Sequence, residues 1–434
     1  MASSCRCGSA SHDASRLDEC TRHLMLFDVG VGVELARAAS GDCPMLALLV
    51  AGVAALSGRR RNDPVITAML ETADACETTV VKNHARAVDL WSQARRSDAI
   101  ESWFAIVVAN PTDLLALKFL TTACFFAGNS HVMEEACRIA VPAVNHDARH
   151  HVYAMLSFAC VENGRIEEAE RYAVRALLQR YEDPWAVHAL AHVRLEQERY
   201  AEGVELLSGN DSSWSRHADL ACHIYWHWAI FLIHLGRVGE ALDIFDGKIV
   251  AELHRSAGYA MDVSDAVSLL VRLEILGHDV GTRWRVVDKF VATTQSSFSY
   301  PFTASHYLIH RCHVDPVDQL EDIVSIVADG SGGSCQIVRD CLVGIMSYYL
   351  NLDEAALEAL FRVRHELKSV GGSNAQRQVF SLITIHAAIR AGRISTARSL
   401  ISTRTGGAVR ERLELASQAD SRLPSLPSIQ WSTQ

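Results

Sequence analysis

Two short segments concentrate side chains that can do chemistry: Trp185-Ala-Val-His188-Ala-Leu-Ala-His192 and Ala221-Cys-His223-Ile-Tyr-Trp226-His227-Trp228. In each, two histidines stand four residues apart, which puts both imidazoles on one face of a helix. Three uses compete. Neutral imidazoles in such pairs suit Zn, Cu, Ni or Fe, although no H-E-x-x-H string is present. A histidine titrating near neutrality can act as general acid or base, with Asp265 or His306 as partner. Imidazole and indole can also simply line a ligand or peptide pocket, which is the leading expectation. Trp228 and Tyr225 have the spacing of core aromatics, and Trp185 directly after Asp183-Pro184 has the position of a helix start capped by Asp183. A second histidine-rich stretch, His306, His310 and His313, encloses Tyr307-Leu-Ile and reads as a buried helix.

Such side chains need elements to hold them, and helical periodicity dominates from about residue 28 onward, without sustained strand-type alternation. Arg96-Ser-Asp-Ala99, Met133-Glu-Glu-Ala136, Ile166-Glu-Glu-Ala169, Tyr200-Ala-Glu-Gly203 and Val238-Gly-Glu-Ala241 form a series whose small residues are separated by 37, 33, 34 and 38 positions. That brackets the period of about 34 residues of the tetratricopeptide hairpin. A small residue twelve positions earlier in each case (Ala87, Cys124, Ser157, Ala191, Ala229) supplies the opposing notch. Asn110-Pro111 and Asp183-Pro184 close two hairpins, as proline does after a helix. Five hairpins cover about residues 80–250, and Asp353-Glu-Ala-Ala356 and Ile394-Ser-Thr-Ala397 mark two more. The 35-residue offset from His188 to His223, and from His192 to His227, follows from this repeat and is not itself evidence for a metal.

The chain of 434 residues carries 41 basic and 51 acidic residues, a net charge of −10, and no long basic stripe, which argues against nucleic acid as a partner. Arg59-Arg-Arg61 reads as a solvated turn. Twelve cysteines scattered through apolar helical patterns suit reduced thiols in a cytosol rather than a disulfide framework. Cys5-Arg-Cys7 with Cys20 and Cys43 is a weak metal-knuckle pattern, and the first 24 residues read as a loose tail without a secretory signal. The longest apolar run, Met45–Leu56, falls short of the roughly 20 residues a spanning helix needs.

Longer strings stand out: Asn110-Pro-Thr-Asp-Leu-Leu-Ala-Leu-Lys-Phe119, Trp185–Val193, Leu220–Ala229, and Gly371-Gly-Ser-Asn-Ala-Gln-Arg377 followed by His386-Ala-Ala388. In these the chain resembles the tetratricopeptide repeat protein 38 family. The resemblance runs from about residue 20 to about 415 and implies a soluble helical-repeat protein without a settled biochemical activity. It also covers Asp265, Ser268-Leu-Leu270 and Arg283-Trp284. In such hairpins the second, fifth, ninth and twelfth residues of the first helix face the concave groove. This register puts Trp185, His188 and His192, then His223 and Trp226 with His227 beside them, on the groove. The chain departs from the family where acids are usual, at Thr122, Leu195, Ala304 and Gln378.

The expectation is therefore an all-α, tetratricopeptide-like solenoid of helical hairpins, a right-handed superhelix able to curl into a ring-like pocket. Its parts are a tail over 1–24, N-terminal repeats over 25–250, C-terminal repeats over 251–418 and a Ser/Pro-rich tail over 419–434. The candidate ligand residues are Trp185, His188, His192, His223, Trp226, His227, Asp265, Arg283, His306, Asn374, Gln376 and Arg377. The expected function is capture of a peptide, protein or small ligand in the cytoplasm; the alternative is a histidine-dependent enzyme in the same groove. No cofactor is required, and a divalent transition metal on His188, His192, His223 and His227 is the one the residues would accept. Neither membrane nor nucleic acid is an expected partner.

Overall fold

The computed structural model describes residues 11–40, 43–209, 211–216, 218–291, 300–314 and 335–418, and every regular element among them is helical. By its contacts the chain divides into two compact units, residues 1–193 with 211–220, and residues 194–210 with 221–434. The expected division at 250/251 falls inside the second unit. The first unit is built from α1 (Ser11–Met25), α2 (Val29–Ala39) and four pairs. These are α3 (Pro44–Leu56) with α4 (Pro64–Asp74), α5 (Thr79–Ser92) with α6 (Arg96–Ala109), α7 (Leu114–Ala127) with α8 (Ser130–Ala140), and α9 (His146–Glu162) with α10 (Ile166–Gln179). The chain then runs through α11 (Pro184–Glu196), α12 (Tyr200–Ser208), α13 (Asp211–Trp214) and α14 (Ala218–His234).

The second unit continues with α15 (Val238–Ile244), a π-helical step at Phe245–Ile249, α16 (Val250–Arg255), α17 (Ala260–Ile275), α18 (Arg283–Val291) and α19 (Pro301–Val314). It ends with α20 (Cys335–Tyr349) paired to α21 (Asp353–Val363), α22 (Asn374–Arg390) paired to α23 (Ile394–Arg404), and α24 (Gly407–Gln418). These are hairpins of an α-helical repeat protein. Among the described residues no helix is long and apolar enough to cross a membrane.

The seam residues explain the pairing. Ala87, Ala99, Cys124, Ala136, Ser157, Ala169, Ala191, Ala229 and Ala241 are all fully buried, so each hairpin closes where both helices present little bulk. In α9/α10 the two notches meet through a hydrogen bond, Ser157 Oγ donating to the Ala169 carbonyl at 2.8 Å. Later hairpins are tied at their turns, where Arg390 pairs with Asp353 at 2.9 Å and Arg393 with Glu354 at 2.9 Å.

The N-terminus corrects one expectation. The chain is helical from Ser11, and Leu17, Cys20, Thr21 and Leu24 form a buried stripe at helical spacing, against α2, α3 and α7. The charges between these residues masked the stripe in the sequence. Cys20 and Cys43, half of the possible knuckle, are buried thiols, and burial pushes Cys20 up to about 11. Cys5, Cys7 and the Ser/Pro-rich stretch 419–434 lie outside the described residues.

Gly203 stands in the seam of α12 because Phe231 of α14 fills the space an alanine would use: a Cβ there would lie 2.5 Å from two ring atoms of this fully buried side chain. Gly203→Ala gains about 1 kcal/mol of helix propensity but must displace a rigid ring, so the net expectation is a loss of about 1–3 kcal/mol. Urea denaturation checks this; an unchanged or raised midpoint would show that the seam has slack.

Candidate functional site

In the first unit the site is organised by the capping aspartate of α11. Asp183 Oδ1 accepts from the backbone N–H of Trp185 (2.9 Å) and Ala186 (3.2 Å), as the Asp-Pro pair predicts. Its Oδ2 lies 2.6 Å from His150 Nδ1 and 3.2 Å from His151 Nδ1, both on α9. Burial alone would raise this carboxyl; the two imidazoles outweigh it and hold Asp183 well below the usual carboxylate range. The same device occurs one step earlier, where the α7 cap Asp113 lies 3.2 Å from buried His84 of α5. Ligand atoms of His150, His151 and Asp183 lie within 4.8 Å of one another, near enough to hold one cation.

With its start fixed, α11 stacks its aromatic face in series. Trp185 lies on Phe27 (centroids 4.9 Å apart, planes at 24°) and on His188 (4.5 Å, 30°). His188 and His192 approach through their Nε2 atoms at 3.0 Å, and Phe158 of α9 packs against both rings. Lys118 of α7 reaches into this group, its Nζ 3.6 Å from the Phe27 ring centroid.

In the second unit α14 meets α17, and α17 in turn packs on α19 and α22. His223 Nδ1 lies 2.8 Å from Asp265 Oδ2, and the other oxygen of that carboxylate accepts from Gln376 Nε2 at 3.2 Å. Trp226 stacks on His223 (5.3 Å, 11°) and donates its indole N–H to Ser268 Oγ at 3.1 Å. Arg272, one turn beyond Ser268, donates to Ser268 Oγ (2.6 Å) and to the Ala375 carbonyl (2.8 Å), so the start of α22 is anchored to α17. Full burial pushes Arg272 down to about 9 against the opposing pull of Asp265.

His306 of α19 completes the group. Its Nδ1 donates to the Phe302 carbonyl at 2.9 Å, and its Nε2 is buried with no hydrogen-bond partner among the described residues. Burial lowers His306 to about 4, so the ring is neutral and Nε2 is an acceptor.

A cavity of about 590 Å³ lies on the other side of the α22 start. Asn374, Arg377 and Gln378 line it, with Leu195, Glu196, Glu198 and Tyr200 from α11/α12, Arg364, His365 and Lys368 from the turn before α22, and Arg410 of α24. Arg377 is buried and held by the Gly371 carbonyl (3.5 Å) and Asn374 Oδ1 (2.6 Å), while Ser373 and Gln376 form the capping box that starts α22.

Most residues singled out in the sequence therefore contribute to sites in their own units: Trp185, His188 and His192 in the first; His223, Trp226, His227, Asp265, His306 and Gln376 around the buried carboxylate of the second; Asn374 and Arg377 at its cavity. Arg283 is the exception. It forms a bidentate pair with Asp246, at 2.8 Å through Nε, and donates to the Val280 carbonyl at the start of α18. Lys118, Arg272 and the cationic residues at 364–368 and 410 were missed, because nothing local distinguishes them from solvated charges. No family model matches this chain.

Four buried imidazoles of the second unit sit far below the ordinary histidine value, mainly through burial: His234 and His306 at about 4, His310 and His386 at about 3. The unfolded chain takes up protons below about pH 6.5, whereas the folded chain does not until near pH 4. Stability is therefore lost as pH falls from 6.5 to 4. Melting temperature measured across that range should drop, and His306→Gln should flatten the slope; a flat profile in the parent protein would contradict the burial of neutral rings. Asp265→Ala removes the acceptor of one buried donor, Gln376 Nε2, and one part-buried donor, His223 Nδ1, and should cost about 2–4 kcal/mol in urea unfolding.

Proposed function

We propose that this chain is a helical-repeat protein that binds a small anionic ligand, and that the cavity at the start of α22 receives it. The observation that carries this reading is the charge of the lining: Arg364, Lys368, Arg377 and Arg410 against Glu196 and Glu198, in a chain whose overall charge is −10. The volume is that of a small-molecule pocket. Backbone N–H groups at a helix start and arginine forks are the donors that carboxylates and phosphates accept from. Two of the positions where the family resemblance leads one to expect acids, Leu195 and Gln378, line this same cavity and are neutral here. A small ligand also fits the groove residues better than a peptide, since His188, His192, Trp226 and His227 are each at most 2 % exposed.

The test is isothermal titration with inorganic phosphate, pyrophosphate and citrate at constant ionic strength. Saturable binding of at least one is expected. Gln378→Glu, which adds a negative charge to the wall at a partly exposed position, should weaken that binding about tenfold, on the order of 1.4 kcal/mol. Binding unaffected by Gln378→Glu, or heats no larger than those of sodium chloride, would remove the proposal.

A second reading, a histidine-dependent and metal-assisted enzyme, is favoured by the Asp265 carboxylate on His223 Nδ1. That contact fixes which ring nitrogen carries the proton and leaves Nε2 as base or metal ligand. Within the second unit the 223/227 pair, four residues apart, offers two imidazoles from one face of α14 to a divalent transition metal. Elemental analysis of protein purified without an affinity tag checks it: stoichiometric metal that is lost in His223→Ala supports the reading, and metal-free protein sinks its metal-assisted form.

A further inference from the structure

We propose that Lys118 is a nucleophilic amine that condenses with a small aldehyde or ketone, in a site formed by Phe27, Trp185 and the start of α11. The ammonium-bearing end of a lysine on the apolar face of a helix usually finds a carboxylate or reaches water. Lys118 finds no carboxylate. It is partly buried on α7, has no ion pair or side-chain hydrogen bond among the described residues, and places Nζ 3.6 Å from the centroid of Phe27 and 5.8 Å from that of Trp185. Desolvation by these surroundings lowers its affinity for a proton to about 7, with Asp183 and Asp219 pulling the other way. Both carboxylates are engaged elsewhere, Asp183 by His150, His151 and the α11 backbone, Asp219 by the Val29 N–H at 2.6 Å.

Two further observations point to a ligand at this spot. The indole Nε1 of Trp185 is buried and has no hydrogen-bond partner among the described residues, so a donor stands ready beside the amine for a carbonyl or hydroxyl oxygen. Phe27 is held at φ 61°, in the left-handed region that bulky side chains rarely adopt, and the strain is sustained by its carbonyl accepting from the Asp219 N–H at 3.2 Å. The ring is thereby held flat under the amine.

The chemistry closes on these groups. The neutral amine attacks the carbonyl carbon and forms a C–N bond. The two amine protons leave with the carbonyl oxygen as water, and the product is an imine. Once protonated, the imine carries the charge that Asp183 and Asp219 favour from a distance, and the aromatic pair covers its plane. A low proton affinity makes the amine available at neutral pH, which an ordinary lysine is not.

The chain suits a direct test because it has only five lysines. The intact protein is treated at pH 7 with acetaldehyde and sodium cyanoborohydride, which reduces the imine to a stable secondary amine, and the modified lysines are mapped by peptide mass spectrometry against time. Lys118 should be alkylated at least about tenfold faster than Lys82, Lys248, Lys289 and Lys368, and its rate should level off above about pH 7 while that of Lys82 keeps rising. Trp185→Phe, which keeps the ring and removes the indole donor, should slow Lys118 alone. Lys118 reacting no faster than the other four, or following the pH profile of Lys82, overturns the assignment. The anion-binding cavity lies in the other unit, so either proposal can fail while the other stands.

Discussion

Two helices can pack into a tight hairpin only where neither carries bulk at the seam, and in this chain that steric limit governs everything downstream. The fully buried alanines, Cys124 and Ser157 set the distance between paired helices. Where Phe231 crosses the seam the opposing residue is reduced to Gly203. Once the pairs are fixed, the first-helix faces of α11 and α14 have little choice about where their histidines and tryptophans go. The functional candidates are thus a consequence of seam packing, with residue identity alone left to evolve.

The second constraint is electrostatic and concerns buried charge. Asp265 and Arg272 are each fully enclosed, and neither is neutralised by a single simple partner. Asp265 divides its oxygens between His223 and Gln376, and Arg272 spreads its donors over Ser268 and the first-turn carbonyls of α22. Such distributed satisfaction lets a charge survive in a low-dielectric interior. It also makes the start of α22 rigid, and α22 therefore presents Gln376 to one side and Asn374 and Arg377 to the cavity on the other.

The repeat register, the hairpin ends, the Asp183 and Ser373 caps and the crowding of imidazole on α11 and α14 could all be read from residue order, because each depends on neighbours within a turn or on a fixed period. What could not be read depends on distant pairing. His84 finds Asp113, and His150 finds Asp183, only when successive hairpins stack. Arg283 carried no mark to show that Asp246 would claim it. The charge of the cavity is assembled from three separated stretches around residues 196, 365 and 410, and Lys118 owes its surroundings to Phe27, far back in the chain. The helix at Ser11–Met25 was obscured for a local reason: its apolar stripe is narrow and set among charges.

The doubled duty of Asp183 has a consequence for how the array comes apart. One oxygen ends the fraying of α11 and the other joins α9 through two imidazoles. Opening the first turn of α11 therefore uncovers buried rings on the hairpin before it, and detaching that hairpin strips α11 of the imidazoles that hold its cap. In a solenoid built of nearest-neighbour contacts, each module can in principle melt singly. A shared carboxylate couples two such modules into one cooperative unit, and amide hydrogens on both sides of residue 183 are then protected by the same opening event.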